Sequence, residues 1–468
     1  MAGSTDLNPL RSESPSYSSL ARGGSGPYGA PADFRVPRNP YFPTPEMSEL
    51  LGRKVAAALT SYPGDAGTVA AELSAVLGLN ARTVVMGNGS AELIAWIDHL
   101  LVRESLAVPI PASGRWTGRS LETGKRVDMF PLQEAEGFAL DVDAYVRFVR
   151  KRGSRVAVVC NPGDPDGGYL PRAQVGDLLD RLSDLDLVIV DESSIDFVDA
   201  ERSPSVADEA AIRPNVIVLR SLTGNFGLHG IRLAYLVANP ALAGKVRRML
   251  PRGSLSSFAE PVVHLLREHA REYQDSLRLV AADRRSMLQR LSALPGLTVY
   301  PSQANFLLVR LPEGKDGAAL CDHLRSAHDV LVRDCGDKLG SSGRFLRLAV
   351  APRQDAERLV DALHSSLFSV GNGRAAAAIG AAPSPQAGTA YVMDSYAATP
   401  YYRDPTAPSS YQRELPAAPS YQGDPFVVGS DDPRHGRLDP LDTTSRWTFD
   451  ANTSPFSAVR PRYDGGRP

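Results

Sequence analysis

The stretch L-D-L-V-I-V-D at residues 185–191 is a short run of apolar, mostly branched side chains that ends in an aspartate. This composition is typical of a strand that is buried on both faces of a sheet. Three similar runs lie around it: R-V-A-V-V-C (155–160), N-V-I-V-L-R (215–220) and R-L-A-Y-L-V-A (232–238). Longer stretches with helical spacing separate them, for example Leu170 to Leu185. The alternation predicts a doubly wound α/β domain with parallel strands.

The pattern changes after about Ser254, where a charged helical segment is predicted to run to about Leu294. The following L-T-V-Y-P-S-Q-A-N-F-L-L-V-R-L (297–311) has the pattern of strand, turn and strand. This order predicts a second, smaller α+β domain. We therefore expect a large domain at about 55–255 and a small domain at about 256–370 that also includes residues 34–54.

Both ends of the chain differ in composition from the middle. Residues 1–33 and 371–468 are rich in Ser, Gly, Pro and Tyr and have few aliphatic side chains. Such segments bury too little apolar surface to offset the entropy cost of ordering, so we predict that both are disordered.

The charge and cysteine content exclude several classes of function. The net charge is −2 with acids and bases mixed, which gives no reason to expect a nucleic-acid partner. The three cysteines have no paired spacing, which favours free thiols in a reducing compartment and offers no metal site. No apolar run approaches the length of about 18 residues that a membrane span needs. The sequence thus predicts a cytoplasmic protein without a membrane segment.

The stretch V-V-M-G-N-G-S-A-E-L-I (84–94) has the pattern of a strand, a glycine turn and the start of a helix. Gly87 and Gly89 let the backbone approach a ligand closely, and Ser90 opens a helix whose N-terminal amides can hold an anion. A phosphate group would suit this position. The same pattern also occurs where a turn merely caps an ordinary helix.

Polar residues also follow two of the predicted strands. Asn161 comes after the strand at 155–160, and Asp191 ends the strand at 185–191. Ligands of open parallel sheets bind at the carboxyl ends of the strands, and an aspartate there can pair with a protonated ring nitrogen and make that ring an electron sink. A turn asparagine and a capping aspartate are the structural alternatives.

A further stretch, L-R-S-L-T-G-N-F-G-L-H-G-I-R-L-A-Y (219–235), follows the strand at 215–220. Ser221, Thr223 and Arg232 are placed to grip a phosphate, although a lone arginine is more often a surface group.

The order of these motifs resembles the fold-type-I pyridoxal-phosphate aminotransferases of the histidinol-phosphate aminotransferase group. The segments V-R-D-C-G and R-S-L-T are most similar to its threonine-phosphate decarboxylase branch, and the resemblance covers about Val36 to Leu367. N-P-Y-F-P-T-P (39–45) and S-Y-P-G-D (61–65) also resemble the N-terminal segment and inter-subunit tyrosine loop of that group. The resemblance implies a large doubly wound domain, a smaller α+β domain and a homodimer.

The resemblance also implies roles for particular residues around pyridoxal 5'-phosphate and an amino-acid substrate. The residues implied at the cofactor phosphate are Gly89, Ser90, Ser221, Arg232 and, from the partner subunit, Tyr62. Those implied at the cofactor ring are Trp116 stacked on it, Asn161 at the ring oxygen and Asp191 at the ring nitrogen. Arg347 would bind the substrate carboxylate as a bidentate donor.

The sequence departs from the family pattern at the residue that should form the Schiff base. Gly224 stands where the lysine should follow R-S-L-T, and the nearest lysines along the chain are Lys151 and Lys245. Ser194 also replaces a tyrosine that contacts the ring. Glycine can neither bind the cofactor covalently nor move a proton.

Three interpretations therefore stay open. We expect a protein that binds the cofactor noncovalently, together with a carboxylate- or phosphate-bearing amino acid, and is weak or inactive in transamination. Alternatively, His229 in the same loop could act as the base of an active aminotransferase or decarboxylase. The third possibility is a non-catalytic scaffold or partner subunit.

Overall fold

The computed structural model describes residues 31–368 of the 468-residue chain. The strands in this range are β1 (Ala32–Asp33), β2 (Val84–Gly87), β3 (Ser105–Ile110), β4 (Arg126–Pro131), β5 (Val156–Cys160), β6 (Leu187–Asp191), β7 (Val216–Ser221), β8 (Ala234–Val237), β9 (Thr298–Val299), β10 (Phe306–Arg310), β11 (Val330–Leu331), β12 (Arg333–Asp334) and β13 (Phe345–Ala349). The helices are α1 (Pro45–Thr60), α2 (Ala66–Leu77), α3 (Ser90–Leu100), α4 (Gly114–Glu122), α5 (Val142–Arg152), α6 (Arg172–Arg181), α7 (Ala207–Ile212), α8 (Pro240–Met249), α9 (Ala259–Glu268), α10 (Ala270–Ser292), α11 (Gly317–His328) and α12 (Arg353–Phe368).

The central sheet has seven strands in the order β2-β8-β7-β6-β5-β3-β4. The five strands from β7 to β4 run parallel to one another, which confirms the predicted α/β fold with a mainly parallel sheet. The prediction that residues 232–238 form a parallel strand was wrong, because β8 is antiparallel to both β7 and β2. The connection at 222–233 contains no crossover helix, so the chain reverses direction there.

The sheet is buried on both faces, which explains why its strands are continuous apolar runs. In β6, Val188 and Val190 belong to one apolar cluster, whereas Leu187 and Ile189 belong to the cluster on the opposite face. Successive side chains of a strand point to opposite faces, so both halves of the run must be apolar. Helices cover each face and complete the two clusters.

The helical segment predicted between about Ser254 and Leu294 is two helices rather than one. Helix α9 ends at Glu268, and α10 begins at Ala270. His269 between them has φ −120° and ψ 34°, outside the helical range, so the chain bends at this residue.

A second sheet has the order β12-β13-β10-β9, and its strands are antiparallel. Strands β9 and β10 are the predicted strand, turn and strand, and a separate apolar cluster packs this sheet against the C-terminal helices. The predicted boundaries of the large and small domains stay a prediction.

The predicted disordered extensions, 1–33 and 371–468, lie outside the described residues apart from positions 31–33. The prediction was wrong for Ala32 and Asp33, which form β1 and pair in parallel with Val330 and Leu331. Ala32 is buried, and Phe34 after it is also buried in the apolar cluster of the second sheet. Burial of these two side chains, together with the strand hydrogen bonds, offsets the entropy cost of ordering this segment.

The carboxyl ends of four strands meet at one edge of the central sheet. Strands β2 and β7 run in the same direction, because both are antiparallel to β8, and β5 and β6 are parallel to β7. Their last residues are Gly87, Cys160, Asp191 and Ser221. Among residues 31–368, no helix combines the length and the hydropathy needed to span a membrane.

Candidate functional site

The turn between β2 and α3 brings an arginine to the beginning of a helix. Gly89 has a φ of 85°, which favours glycine, and a Cβ there would come within 2.7 Å of Arg232 Nη2. Ser90 is the first residue of α3 and is buried. Free backbone amides and a guanidinium therefore lie together, an arrangement that favours an anion.

A second arginine, which the sequence analysis did not identify, also contacts Ser90. Arg115 Nη1 donates to Ser90 Oγ at 2.8 Å, and its Nε donates to Ser113 Oγ at 3.0 Å. Arg115 directly precedes Trp116 in α4. Its position next to an implied site residue is the signal in the sequence that could have identified Arg115. The positive charge around Ser90 is thus greater than the resemblance implied.

Ser221 ends β7 close to this edge. Its Oγ lies 3.2 Å from Thr223 Oγ1, and either hydroxyl can be the donor. In the sheet, Ala234 of β8 pairs with Gly87 on one side and with Ser221 on the other. The strand register therefore places Ser221 two strands away from the turn that precedes Ser90.

Asp191 is buried at the end of β6 and accepts hydrogen bonds from two side chains. Trp116 Nε1 donates to Asp191 Oδ2 at 2.8 Å. Ser193 donates its backbone N–H to Asp191 Oδ1 at 3.1 Å, and its hydroxyl donates to the same oxygen. A carboxylate has about four acceptor positions, so three protein donors leave room for one more.

Asn161 lies next to Asp191, because its backbone N–H donates to the carbonyl of Asp191 at 2.9 Å. Its side chain makes a reciprocal pair with Leu170: Nδ2 donates to the carbonyl at 2.9 Å, and Oδ1 accepts from the N–H at 2.8 Å. The amide has two N–H groups, and this pair uses one of them. The other N–H remains available for a ring oxygen.

The loop with Gly224 is folded against the N-terminal segment. Asn39 N–H donates to the carbonyl of Gly224 at 2.9 Å. A Cβ at Gly224 would lie 3.3 Å from the carbonyl oxygen of Pro37 and 3.6 Å from His229 Cε1. The first atom of a side chain at position 224 would therefore lie next to the His229 ring.

A buried polar network beneath this loop fixes its shape. Asn225 Nδ2 and the hydroxyl of Tyr273 donate to Asp196 Oδ2 at 2.9 and 2.8 Å. Arg220 in β7 pairs with the other oxygen of Asp196 and also with Glu192, at 3.4 Å. Removal of one partner would leave a buried charge uncompensated, so the network holds the loop against the sheet.

His229 is the titratable side chain nearest to Gly224. Burial is the main cause that lowers the pKa of His229. The positive charges of Arg232 and Arg38 lower this pKa further, whereas a hydrogen bond with the Pro37 backbone opposes part of the shift. The imidazole is therefore neutral at pH 7. Its Nε2 is buried and has no hydrogen-bond partner within residues 31–368.

Arg347 in β13 already has an anionic partner in the chain. Its Nη1 donates to Asp164 Oδ1 at 2.8 Å, and its Nη2 donates to the carbonyl of Arg35 at 3.2 Å. Lys338 Nζ lies 4.0 Å from the same oxygen of Asp164. The sequence analysis identified neither Asp164 nor Lys338, because the contact between Asp164 and Arg347 spans 183 residues along the chain and leaves no local signal.

Among residues 31–368, no contact connects Tyr62, an implied site residue, to this edge. Its side chain is 86% exposed, and its hydroxyl lies close to Gly253. Of the other implied residues, Gly89, Ser90 and Arg232 lie at the helix start, Trp116, Asn161 and Asp191 lie near the end of β6, Ser221 ends β7, and Arg347 lies in β13 of the second sheet.

Comparison with known proteins identifies the family of this arrangement. The sequence model of the family "aminotransferase class I and II" matches residues 59–363. The chain belongs to this family. The match contains the strand-end residues described above, from Gly89 to Arg347, so the candidate site lies within the part that the family shares.

Two relatives of this aminotransferase-family chain are longer proteins. An uncharacterized protein of Sinorhizobium fredii is 33% identical over 74% of this chain and 56% of its own length. The CMP-5'-(3-aminopropyl)phosphonate synthase of Streptomyces rubellomurinus is 31% identical over 73% of this chain and 54% of its own length. The chain thus spans about half the length of these two relatives.

A shorter relative and a solved structure complete the comparison. The L-serine phosphate decarboxylase of Campylobacter jejuni is 28% identical over 64% of this chain and 77% of its own length. The histidinol-phosphate aminotransferase of Sinorhizobium meliloti, solved in complex with pyridoxal-5'-phosphate, has a TM-score of 0.66 at 20% identity, covering 79% of this chain and 99% of that chain. This likeness confirms the fold of the fold-type-I pyridoxal-phosphate enzymes.

The aminotransferase family binds pyridoxal phosphate, and the residues of this chain fit part of that cofactor. The close approach of Arg232 to Gly89 leaves no room for a Cβ and brings a guanidinium group next to the start of α3, which suits a phosphate group. Asp191 retains an acceptor position for a ring nitrogen. The covalent attachment does not fit, since Gly224 carries no amine.

Proposed function

We propose that the protein binds pyridoxal phosphate noncovalently, together with a small amino compound that bears a phosphate or carboxylate group. Its transamination activity is expected to be weak or absent. The observation that carries this proposal is the contrast between two guanidinium groups next to Ser90 and Gly89 and the glycine at position 224.

The residues at the helix start would hold the phosphate group. Ser90, Arg115 and Arg232 supply a hydroxyl and two guanidinium groups next to free amides of α3. Each charge-assisted hydrogen bond to an anion contributes about 1.5–3 kcal/mol. Three such donors are enough to retain a phosphate ligand without a covalent bond.

The residues at the end of β5 and β6 would orient the ring. Asp191 would accept from the protonated ring nitrogen, and Asn161 would donate its second amide N–H to the ring oxygen. When bound, the cofactor supplies an electron sink for bonds at the carbon next to an amino group. At position 224, however, the chain has no side chain that can hold or move a proton.

A titration with pyridoxal phosphate tests this proposal. We expect saturable binding by calorimetry and an absorbance spectrum that stays close to that of the free aldehyde. After borohydride treatment, mass spectrometry should find no cofactor attached to the chain. Absence of binding, or attachment to a lysine, would contradict the proposal.

His229 supports a second candidate, an active enzyme with a different base. The imidazole is neutral at pH 7, its Nε2 has no partner among the described residues, and its Cε1 lies 3.6 Å from the Cβ position of residue 224. A general base contributes about 10²- to 10⁴-fold to a rate. If His229 is this base, wild-type protein with the cofactor converts O-phospho-L-serine, and His229→Gln lowers that rate at least tenfold while cofactor affinity stays the same.

We also propose that a second copy of the chain completes the site. Tyr62 is 86% exposed, and Leu59 at the end of the preceding helix is 73% exposed, so an apolar surface is available next to the tyrosine implied at the partner's phosphate. Light scattering should give the mass of a dimer, and Tyr62→Ala should weaken cofactor binding. A monomer at the concentrations of the binding assay would contradict this proposal.

A further inference from the structure

The arginine that the family resemblance assigns to a substrate carboxylate is paired with a carboxylate of the protein itself. Arg347 Nη1 contacts Asp164 Oδ1 at 2.8 Å, and both side chains are largely buried. Asp164 lies in the loop after β5, three residues beyond Asn161, whereas Arg347 lies in β13 of the second sheet. The pair therefore joins the ring side of the candidate site to the place where a ligand carboxylate would bind.

Asp164 remains ionised while it holds this position. Burial alone would raise the pKa of Asp164, but Arg347, Lys338 and Arg115 outweigh burial and hold that pKa well below its ordinary value. Lys338 Nζ, 4.0 Å from the oxygen that Arg347 contacts, adds to the attraction. Protonation therefore does not release Arg347 at any pH at which the protein would be studied.

We propose that Asp164 is a specificity-determining residue that excludes ligands with an α-carboxylate, so that the site takes a phosphate- or phosphonate-bearing primary amine without a carboxylate. This inference rests on the proposed function, and it narrows the class of ligand that the site accepts.

The physical reason is repulsion between two like charges in a confined space. A ligand carboxylate that reaches Arg347 either displaces Asp164 or lies beside it. Displacement leaves a buried carboxylate without its main partner, and coexistence places two negative charges within a few ångströms of each other. Either case lowers the affinity for a carboxylate-bearing ligand by about tenfold or more.

A ligand without a carboxylate avoids this competition. Its phosphate or phosphonate group can be met by cations, and it brings no second carboxylate to the place that Asp164 occupies. The ion pair between Asp164 and Arg347 then stays intact. A purely structural role for the pair, by contrast, predicts no difference between the two kinds of ligand.

The experiment compares two ligands that differ only in the carboxylate, O-phospho-L-serine and O-phosphoethanolamine. Each is titrated by calorimetry into the full chain with and without pyridoxal phosphate, using wild type, Asp164→Asn and Asp164→Ser. Asp184→Asn is the matched control, since it removes an exposed carboxylate that pairs with Arg150. Thermal unfolding verifies that each variant is folded.

We expect wild type to bind O-phosphoethanolamine at least tenfold more tightly than O-phospho-L-serine. Asp164→Asn should raise the affinity for O-phospho-L-serine at least tenfold and change that for O-phosphoethanolamine by less than about twofold. The control should resemble wild type in both titrations. If Asp164→Asn does not fold, Asp164→Ser provides the same test, because it also removes the negative charge at position 164.

Two results would overturn the inference. One is equal or tighter binding of O-phospho-L-serine by wild type, or its conversion by wild type as seen by phosphorus NMR. The other is an equal change in both affinities in the Asp164 variants. Failure of pyridoxal phosphate to bind would instead contradict the proposed function, and the ligand preference measured without the cofactor still tests the role of Asp164.

Discussion

Two sides of the same site differ in what they offer a ligand. At the start of α3, Ser90, Arg115 and Arg232 present a hydroxyl and two guanidinium groups beside free backbone amides. In the loop after β7, the position of the expected lysine is a glycine that faces a carbonyl oxygen and an imidazole. The first side carries groups that suit a phosphate, and the second has no amine at position 224.

The difference shows that recognition and attachment of a cofactor rest on separate physical features. A phosphate site depends on backbone direction, a helix N-terminus and positive charge, none of which requires the lysine. Covalent attachment depends on a single amine. One side can therefore function without the other, and changes on each side should have separate effects.

The largest effect is expected when an amine is placed on the loop side. Gly224→Lys should produce a new absorbance band in the presence of pyridoxal phosphate and raise the apparent affinity by on the order of 100-fold. The Cβ would lie 3.3 Å from the Pro37 carbonyl, so a shift of a few tenths of an ångström accommodates it. Borohydride reduction followed by peptide mapping should locate the cofactor on residue 224.

Gly224→Met is the matched control, since it adds a side chain of similar length without an amine. If methionine raises the affinity as much as lysine does, the effect is packing rather than attachment. Absence of the band in the lysine variant, with cofactor still bound, would mean that the side chain at 224 does not reach the site.

On the phosphate side, Arg232→Ala should weaken pyridoxal phosphate binding by about 10- to 100-fold, because a charge-assisted bond to the phosphate is lost. Calorimetry measures the affinity, and no new absorbance band is expected. Arg150→Ala, which removes an exposed arginine paired with Asp184, should leave binding unchanged. If Arg232→Ala binds pyridoxal phosphate with unchanged affinity, the proposal that Arg232 contacts the phosphate group is contradicted.

Removal of β1 should disturb the loop side more than the phosphate side. A chain that begins at residue 34 loses the hydrogen bond from Ala32 N–H to the Asp329 carbonyl, the strand pairing and the burial of Ala32. We expect a loss of about 1–2 kcal/mol in the free energy of unfolding relative to a chain that begins at residue 31. Denaturant unfolding measures it.

Hydrogen exchange sharpens the same prediction. The N–H of Asn39, which donates to Gly224, should exchange faster in the shorter chain, whereas amides of α3 should not. Equal acceleration in both places would indicate a global loss of stability rather than a local effect on the loop.

The smallest effect concerns the pH dependence of His229. Its pKa is lowered in the folded protein, mainly by burial. The unfolded chain therefore binds a proton that the folded chain does not, and stability falls as the pH drops below the unfolded value of about 6.5. His229→Gln removes this dependence. When the pH is lowered from 7.5 to 5, the free energy of unfolding of wild type should therefore fall by up to about 1 kcal/mol more than that of the variant.

Denaturant unfolding at the two pH values measures this difference. His99→Gln removes an exposed histidine and serves as the control. A constant difference between wild type and His229→Gln across the pH range would mean that the imidazole is not buried as the structure has it.

The sequence predicted those features that depend on local pattern. The apolar runs predicted β5, β6 and β7, because a buried strand needs apolar side chains on both faces. The glycine turn predicted the start of α3, because particular residue types are preferred where a helix begins. The direction of β8 was wrong, since an apolar run does not show which way a strand is paired. The sequence did not predict that β1 is ordered, because a short strand held by distant residues leaves little signal in its own composition.

Contacts between distant residues explain the rest of what the sequence missed. Arg115 contacts Ser90, Trp116 contacts Asp191, and Arg347 contacts Asp164 across a separation of 183 residues. No periodicity connects the members of these pairs, because each contact follows from how strands and loops are arranged in space.

By itself, the sequence determined that the chain has the strand and turn pattern of its family, and that position 224 has no amine, because these are properties of composition and local spacing. Only the tertiary structure decided that Arg347 is bound by Asp164, and that a neutral imidazole lies beside Gly224. The physical reason is that charge pairing and burial depend on distances in space, which the fold sets between residues that are far apart along the chain.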